Sequence, residues 1–152
     1  MTHVLDRLHE DHEKVSGLIA KLKSSGDSAE KTRKDLCEKI KDELQAHTEF
    51  EEEVFYPAVR EQSKSAEQQV TQAIEEHDEV ERILLQIEEL EPTSAEFIGL
   101  VEELEESIEA HVRREEDEIF PMAKKALNDE ESERMGQRHD SMVAEHMRAA
   151  HP

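Results

Sequence analysis

Tryptophan is absent from this chain, and a single tyrosine, Tyr56, with four phenylalanines makes up its whole aromatic content. Glycine and proline number only four each, while Glu, Lys, Leu and Ala dominate long stretches, a composition that suits helices far better than strands. One cysteine, Cys37, rules out an intrachain disulfide, and its place beside Leu36 and before Ile40 in a helical pattern reads as a buried, inert thiol. No apolar run is long enough to cross a bilayer. The stretch MTHVLDRLHEDHE is charged from its start, without an apolar signal region, so the chain is expected to be cytoplasmic. Positive charge is also scarce: 19 Lys and Arg face 40 Asp and Glu, for a net charge of −21. That balance excludes nucleic acid as a partner and disfavours anionic membranes, and most of the acid is expected on a solvated outer face. At 152 residues there is room for one domain with a real core and too little for two.

What the chain does have, it has twice. HTEFEEEVFYP at 47–57 and HVRREEDEIFP at 111–121 each place a glutamate four residues after a histidine. A further histidine precedes each copy: His12 stands 35 residues before His47, and His77 stands 34 before His111. The order His, His-x3-Glu, His, His-x3-Glu is an internal duplication of a three-ligand unit.

Four segments carry apolar residues at helical spacing, and each inward stripe contains one of these histidines. The stripes run Leu5, Leu8, His12, Val15, Ile19, Leu22; then Leu36, Ile40, Leu44, His47, Glu51, Val54, Ala58; then Val70, Ala73, His77, Val80, Leu84, Ile87; then Phe97, Leu100, Leu104, Ile108, His111, Glu115, Ile119, Met122. Short breaks separate them: Ser24 to Ser28, Ser63 to Ala66 with capping-box spacing at Ser65 and Gln68, and Pro92 to Ser94 with the same spacing at Thr93 and Glu96. Long helices on short loops predict an all-α, up-down-up-down four-helix bundle over 1–127. Asn128 and Glu131 start a further C-terminal helix over 128–152, with the stripe Met135, His139, Met142, His146 packing on the bundle and a frayed tail from Arg148. Pro57 and Pro121 fall at equivalent places and mark either helix ends or kinks.

Residues four apart on a helix differ by only about 40° around its axis, so His47 with Glu51, and His111 with Glu115, can ligate from one face. His12 and His77 would reach in from neighbouring helices. A lone histidine in an apolar stripe is ordinarily a satisfied core residue. Here each of four stripes holds one, and two of them also bury a glutamate, which costs several kcal/mol without a partner. Imidazole with carboxylate suits iron, manganese or zinc, and the lack of thiolates disfavours a structural zinc site. Four imidazoles and two shared carboxylates would hold two ions and leave coordination positions open.

Between His12 and Met122 these motifs resemble the hemerythrin-like family, also called the HHE cation-binding domain. The resemblance implies a four-helix bundle holding two non-haem iron ions, often oxo- or hydroxo-bridged, with His12, His47, Glu51, His77, His111 and Glu115 as metal ligands. The chain departs from the oxygen carriers of the family. Four residues either side of His77 stand Ala73 and Glu81 instead of a second histidine, and five after His111 stands Glu116 instead of aspartate. Relatives with this symmetric variant are associated with peroxide decomposition, nitric oxide chemistry or sensing. The expected function is therefore a di-iron, catalase-like oxidoreductase acting on hydrogen peroxide, nitric oxide or both. The alternatives are a protein that binds or senses O2, NO or iron without turnover, and a bundle whose metals serve only stability.

In proteins similar to this variant a tyrosine before the proline approaches the iron, which nominates Tyr56 as a catalytic residue. Yet nine residues after His47 lies about 180° away on an ideal helix, so only a bend near Pro57 would bring it round. Glu52 and Glu116 point about 100° from the ligand glutamates and read as surface charges. His9 is expected to be exposed, and His139 with His146 to pack on the bundle.

Overall fold

The computed structural model describes residues 3–151. Its elements are α1 (Val4–Ser24), α2 (Glu30–Phe50), a π-helical turn π1 (Glu51–Phe55), α3 (Tyr56–Arg60), α4 (Lys64–Glu89), α5 (Phe97–Arg114), a second π turn π2 (Glu115–Ile119), α6 (Phe120–Ala126) and α7 (Asp129–Ala150). No strand occurs among the described residues. α2, π1 and α3 run on as one rod, as do α5, π2 and α6. With α1 and α4 they form the up-down-up-down four-helix bundle, and α7 lies along α1 and α2.

Most helix starts carry a local cause. The His3 ring accepts from the Leu5 N–H, and Asn128 with Glu131 forms a complete capping box at α7. Two expected starts are corrected. α4 is capped by Ser63, whose hydroxyl accepts from the Ala66 N–H, so Ser65 is already helical. The turn at Thr93 does not open a helix, because α5 begins at Phe97 behind Glu96, which makes no side-chain cap. Buried Arg33 ties the two loops at this end together, donating to the Pro92 carbonyl at 2.6 Å and to the Ser25 carbonyl at 3.0 Å.

α7 buries a different face from the one its sequence suggests. Ser132, Gly136 and His139 are inward, and Met135 and Met142 only flank them. Small side chains at two of these positions let the α7 backbone lie close to the bundle. The helix runs to Ala150, through residues expected to fray, and Pro152 lies outside the described residues.

The core is divided. One apolar cluster gathers Leu8, Phe50, Phe55, Tyr56, Val59 and Phe120, and the other gathers Val15, Ile40, Ile83, Leu104 and Ile108. Full burial of each such side chain stabilises the fold by roughly 1.5–3 kcal/mol. Between the two clusters lies a layer of histidines and glutamates. Leu36, Leu44 and Leu84, expected inside, are only partly buried, whereas Ile83 is fully enclosed.

Candidate metal centre

All four stripe histidines and both glutamates converge on this middle layer. His12 Nε2 lies 2.8 Å from Glu115 Oε1, and His47 Nε2 lies 3.0 Å from Glu51 Oε1. His77 Nε2 lies 3.0 Å from Glu51 Oε1, and His111 Nε2 lies 3.1 Å from Glu115 Oε2. Two overlapping quartets result, His12–His47–Glu51–Glu115 and Glu51–His77–His111–Glu115, with the donor atoms of each within 4.8 Å of one another. Both glutamates belong to both quartets, as carboxylates that bridge two ions must.

Every one of these imidazoles faces a carboxylate on its other side. His47 Nδ1 donates to Asp11 at 2.8 Å, His77 Nδ1 to Glu52 at 2.8 Å, and His111 Nδ1 to Glu76 at 3.1 Å. His12 Nδ1 lies 3.7 Å from Glu116, close but not bonded. A carboxylate behind a histidine fixes the ring and its tautomer, leaving the Nε2 lone pair pointed inward. Helical periodicity alone leaves Glu52 and Glu116 on the surface and passes over Asp11 and Glu76. One signal is present in the sequence, since the residue just before each leading histidine, Asp11 and Glu76, is acidic in both repeats.

Those tautomers leave a centre that requires positive charge. His77 Nε2 and His111 Nε2 face each other at 3.2 Å, both as lone pairs if their Nδ1 atoms carry the protons. His47 Nε2 and Glu51 Oε2 are buried without any hydrogen-bond partner. Extra protons can meet this demand: neighbouring carboxylates hold His47 and His111 well above the ordinary imidazole range, although burial alone would lower them. The same pairing holds Glu115 well below the usual carboxylate range against the opposing effect of burial, chiefly through His111. Metal ions meet the demand better, because one cation serves several inward lone pairs at once. The donor set fits a pair of ions.

Tyr56 is fully buried, and its hydroxyl reaches Glu115 at 2.5 Å, Glu51 at 3.1 Å and His77 Nε2 at 3.3 Å. The π turn is responsible. Pro57 has no N–H, so the α-helical ladder cannot continue through it. The Tyr56 N–H bonds back five residues to the Glu51 carbonyl, and Phe120 does the same with Glu115 before Pro121. One extra residue per turn rotates the downstream helix by about 100°, which brings Tyr56 from the far side to within about 80° of the ligand face. The prolines therefore mark neither helix ends nor simple kinks. Burial beside two carboxylates pushes the Tyr56 phenol well above its ordinary pKa, so it stays a proton donor.

On the opposite side of the histidine layer lies a cavity of about 30 Å³, walled by the four imidazoles and Asp11 with Val15, Leu44, Thr48, Val80, Ile108 and Val112. That volume is about one water's share of the liquid, so it admits a molecule of one or two heavy atoms. Two surface grooves lead toward it. One, of about 380 Å³ between α2 and α4, ends at His77, Thr48 and Val80. The other, between α1 and α5, is spanned by His9, which contacts Glu13 at 2.8 Å and Glu116 at 2.5 Å. His9 is exposed as expected, and His146 sits 3.4 Å from Glu49, away from the cavity. Partial burial pushes the Cys37 thiol up to about 11, leaving it protonated and inert at neutral pH.

A helical bundle with His/Glu quartets buried across its middle defines a protein of the metal-binding four-helix class. A family model, the hemerythrin HHE cation binding domain, matches residues 3–123, and the chain belongs to that family. It is 35% identical over 131 residues to a DNA nickase of Nostoc sp., a match covering 86% of this chain and 36% of the nickase. It is 29% identical over 133 residues to an uncharacterized hemerythrin-like protein of Schizosaccharomyces pombe, covering 87% of this chain and 64% of that protein. The chain thus spans about a third of one relative and just under two thirds of the other. The crystal structure of an HHE cation binding domain-containing protein from Mycobacterium kansasii, a homologue of Rv2633c, shares the fold. Its TM-score is 0.86 at 22% identity, covering 98% of this chain and 90% of that one. No helix among the described residues is long and apolar enough to cross a membrane.

Proposed function

We propose that this chain is a di-iron oxidoreductase that disproportionates hydrogen peroxide. The observation that carries the reading is the Tyr56 hydroxyl, held 2.5 Å from Glu115 and 3.1 Å from Glu51 in a fully buried position. A centre serving only stability has no need of a phenol that donates into its bridging carboxylates. His12 and His47 would hold one iron and His77 and His111 the other, with Glu51 and Glu115 shared between them. Bound iron would polarise the peroxide and supply the redox equivalents.

The residues themselves supply the rest. The three carboxylates bonded to His47, His77 and His111 hold those rings with Nε2 turned inward and would raise their basicity toward a bound ion. Tyr56 keeps a proton at its Oη, within one hydrogen bond of either glutamate, so it would act on the centre through those carboxylates, from across the layer that separates it from the cavity. A cavity this small would admit only a molecule of one or two heavy atoms. A net charge of −21 opposes approach to any polyanion, which separates this reading from the DNA cleavage in the name of the Nostoc relative.

An oxygen electrode and elemental analysis test the proposal together. Two irons per chain and O2 released over many turnovers, one O2 for every two peroxides consumed, support it. A single stoichiometric spectral change with peroxide, O2 or nitric oxide would instead make the protein a binder or sensor. Zinc, or no metal after growth in iron-replete medium, would sink the di-iron reading.

A further inference from the structure

Three of the four carboxylates behind the histidines are themselves held, each by a different group. Glu76 accepts from Arg114 Nε at 3.0 Å, and Glu116 contacts the exposed His9 at 2.5 Å. Asp11 is held by His139 Nε2 at 2.7 Å. His139 alone comes from outside the four-helix bundle. It is 4% exposed, it sits on the face of α7 that Ser132 and Gly136 bring close to the bundle, and its ring stands edge-on to Phe50 at 5.0 Å. The same oxygen, Asp11 Oδ2, receives both His139 Nε2 and His47 Nδ1.

We infer that His139 is a positioning residue for the metal centre: it fixes Asp11, and through Asp11 the ring and tautomer of His47, so that α7 sets the His12–His47 metal position apart from the His77–His111 position. The inference rests on the metal-centre reading above. An aspartate with one donor can turn about its side-chain bonds toward solvent; a single oxygen shared by two N–H groups on different helices cannot turn without losing both. With Asp11 locked, His47 keeps its proton on Nδ1 and offers Nε2 to the metal. The partner position has no such dependence on α7, because Glu76 is oriented by Arg114, a permanent cation within the same pair of helices.

The test uses the full chain loaded with zinc, which is diamagnetic and needs no peroxide chemistry. Long-range proton–nitrogen NMR reads the tautomer of each histidine, and chelator competition reads the two affinities. In the wild type, His47 is expected as the Nδ1–H tautomer alone, with an Nε2–H on His139. A His139 that carries its only proton on Nδ1 overturns the inference without any variant. His139→Leu is expected to weaken one of the two metals about tenfold, leave the other within about twofold, and turn His47 into a tautomer mixture. His139→Gln, which keeps an N–H at similar reach, should restore the wild-type pattern. Equal loss at both positions, an unchanged His47, or failure of the glutamine to rescue would each overturn it. A protein that behaves as expected here yet evolves no O2 keeps the inference and loses the peroxide reading.

Discussion

The two halves of the bundle share their inner histidines and glutamates and their π turns, and differ in several of the groups packed around them. Tyr56 stacks on His77 with ring centroids 5.5 Å apart, and Phe120 stacks on His12 at 6.1 Å, in the same relation but without a hydroxyl. Behind the second histidine of each half, Asp11 is held by His139 and Glu76 by Arg114. In the cavity wall, Thr48 stands where the other half has Val112. Duplication gives matched donor sets, two quartets that fit a pair of ions. Each difference between the halves would make the two metal positions unequal.

Removing a shared element should have the largest effect. Glu51 and Glu115 each belong to both quartets, so Glu115→Ala is expected to cost both metals more than about 100-fold in affinity, not one. Elemental analysis after dialysis would show fewer than one metal per chain. Retention of a single tightly held metal would mean that the carboxylates are not shared. Next in size is Tyr56→Phe, which makes the halves alike at the stacked ring. Metal content should stay at two while peroxide turnover falls by about tenfold or more, somewhat below what a well-positioned proton donor usually contributes. The reverse change, Phe120→Tyr, adds a phenol at the matching stacked place on His12 and should alter turnover by less than about twofold, because Tyr56 already supplies the proton donor.

The metal-free protein should show a pH dependence that the loaded protein lacks. His47 and His111 are raised above the ordinary imidazole range by their carboxylates. A raised histidine stabilises the fold fully below its unfolded pKa of about 6.5, and that contribution is lost as pH rises through the folded value. Glu115 is lowered, so its contribution is present above the unfolded pKa of about 4.3 and lost as pH falls through the folded value. Thermal melts of the metal-free chain should therefore be most stable at mildly acidic pH and weaken toward alkaline pH. Melts with metal should hold or rise over the same alkaline range, since protons and metal compete for the same nitrogens. Parallel curves would show that the imidazoles are not charged in the metal-free state.

The bundle and the convergence of its inner histidines and glutamates were legible because both derive from one number, the helical period. His47 with Glu51 and His111 with Glu115 need only a four-residue spacing, and the duplication singles out which histidines matter. The outer carboxylates were not legible in that way. Which of 40 acids faces a histidine on another helix depends on how helices cross, and no single-helix spacing encodes it. Tyr56 was misplaced by the period itself: an α-helical count carries it to the far side, and the π turn before Pro57 returns it. The equivalent placement of Pro57 and Pro121 was the trace of that turn in the sequence. His139 was legible only as packing, because its target, Asp11, lies 128 residues away.

The smallest expected effect separates the candidate substrates. Thr48 lines both the groove between α2 and α4 and the cavity at its end, and brings a hydroxyl to a wall otherwise made largely of aliphatic side chains and imidazoles, with Asp11. Val112, its counterpart, is the same shape with a methyl in place of the hydroxyl. Thr48→Val therefore makes the two halves of the wall alike with almost no change in volume. A hydroxyl that is lost to an incoming polar molecule is worth about 0.5–1.5 kcal/mol, or roughly threefold to tenfold. Hydrogen peroxide brings two hydroxyls that must leave water, so its kcat/KM should fall within that range. kcat should stay near its wild-type value, because no residue touching the centre has changed. Nitric oxide and O2 enter with little to desolvate, and their association rates should be unaltered. A fall for the diatomics as well would mean that Thr48 shapes the wall sterically. No change for any of them would move the entrance to the groove between α1 and α5, where His9 bridges Glu13 and Glu116.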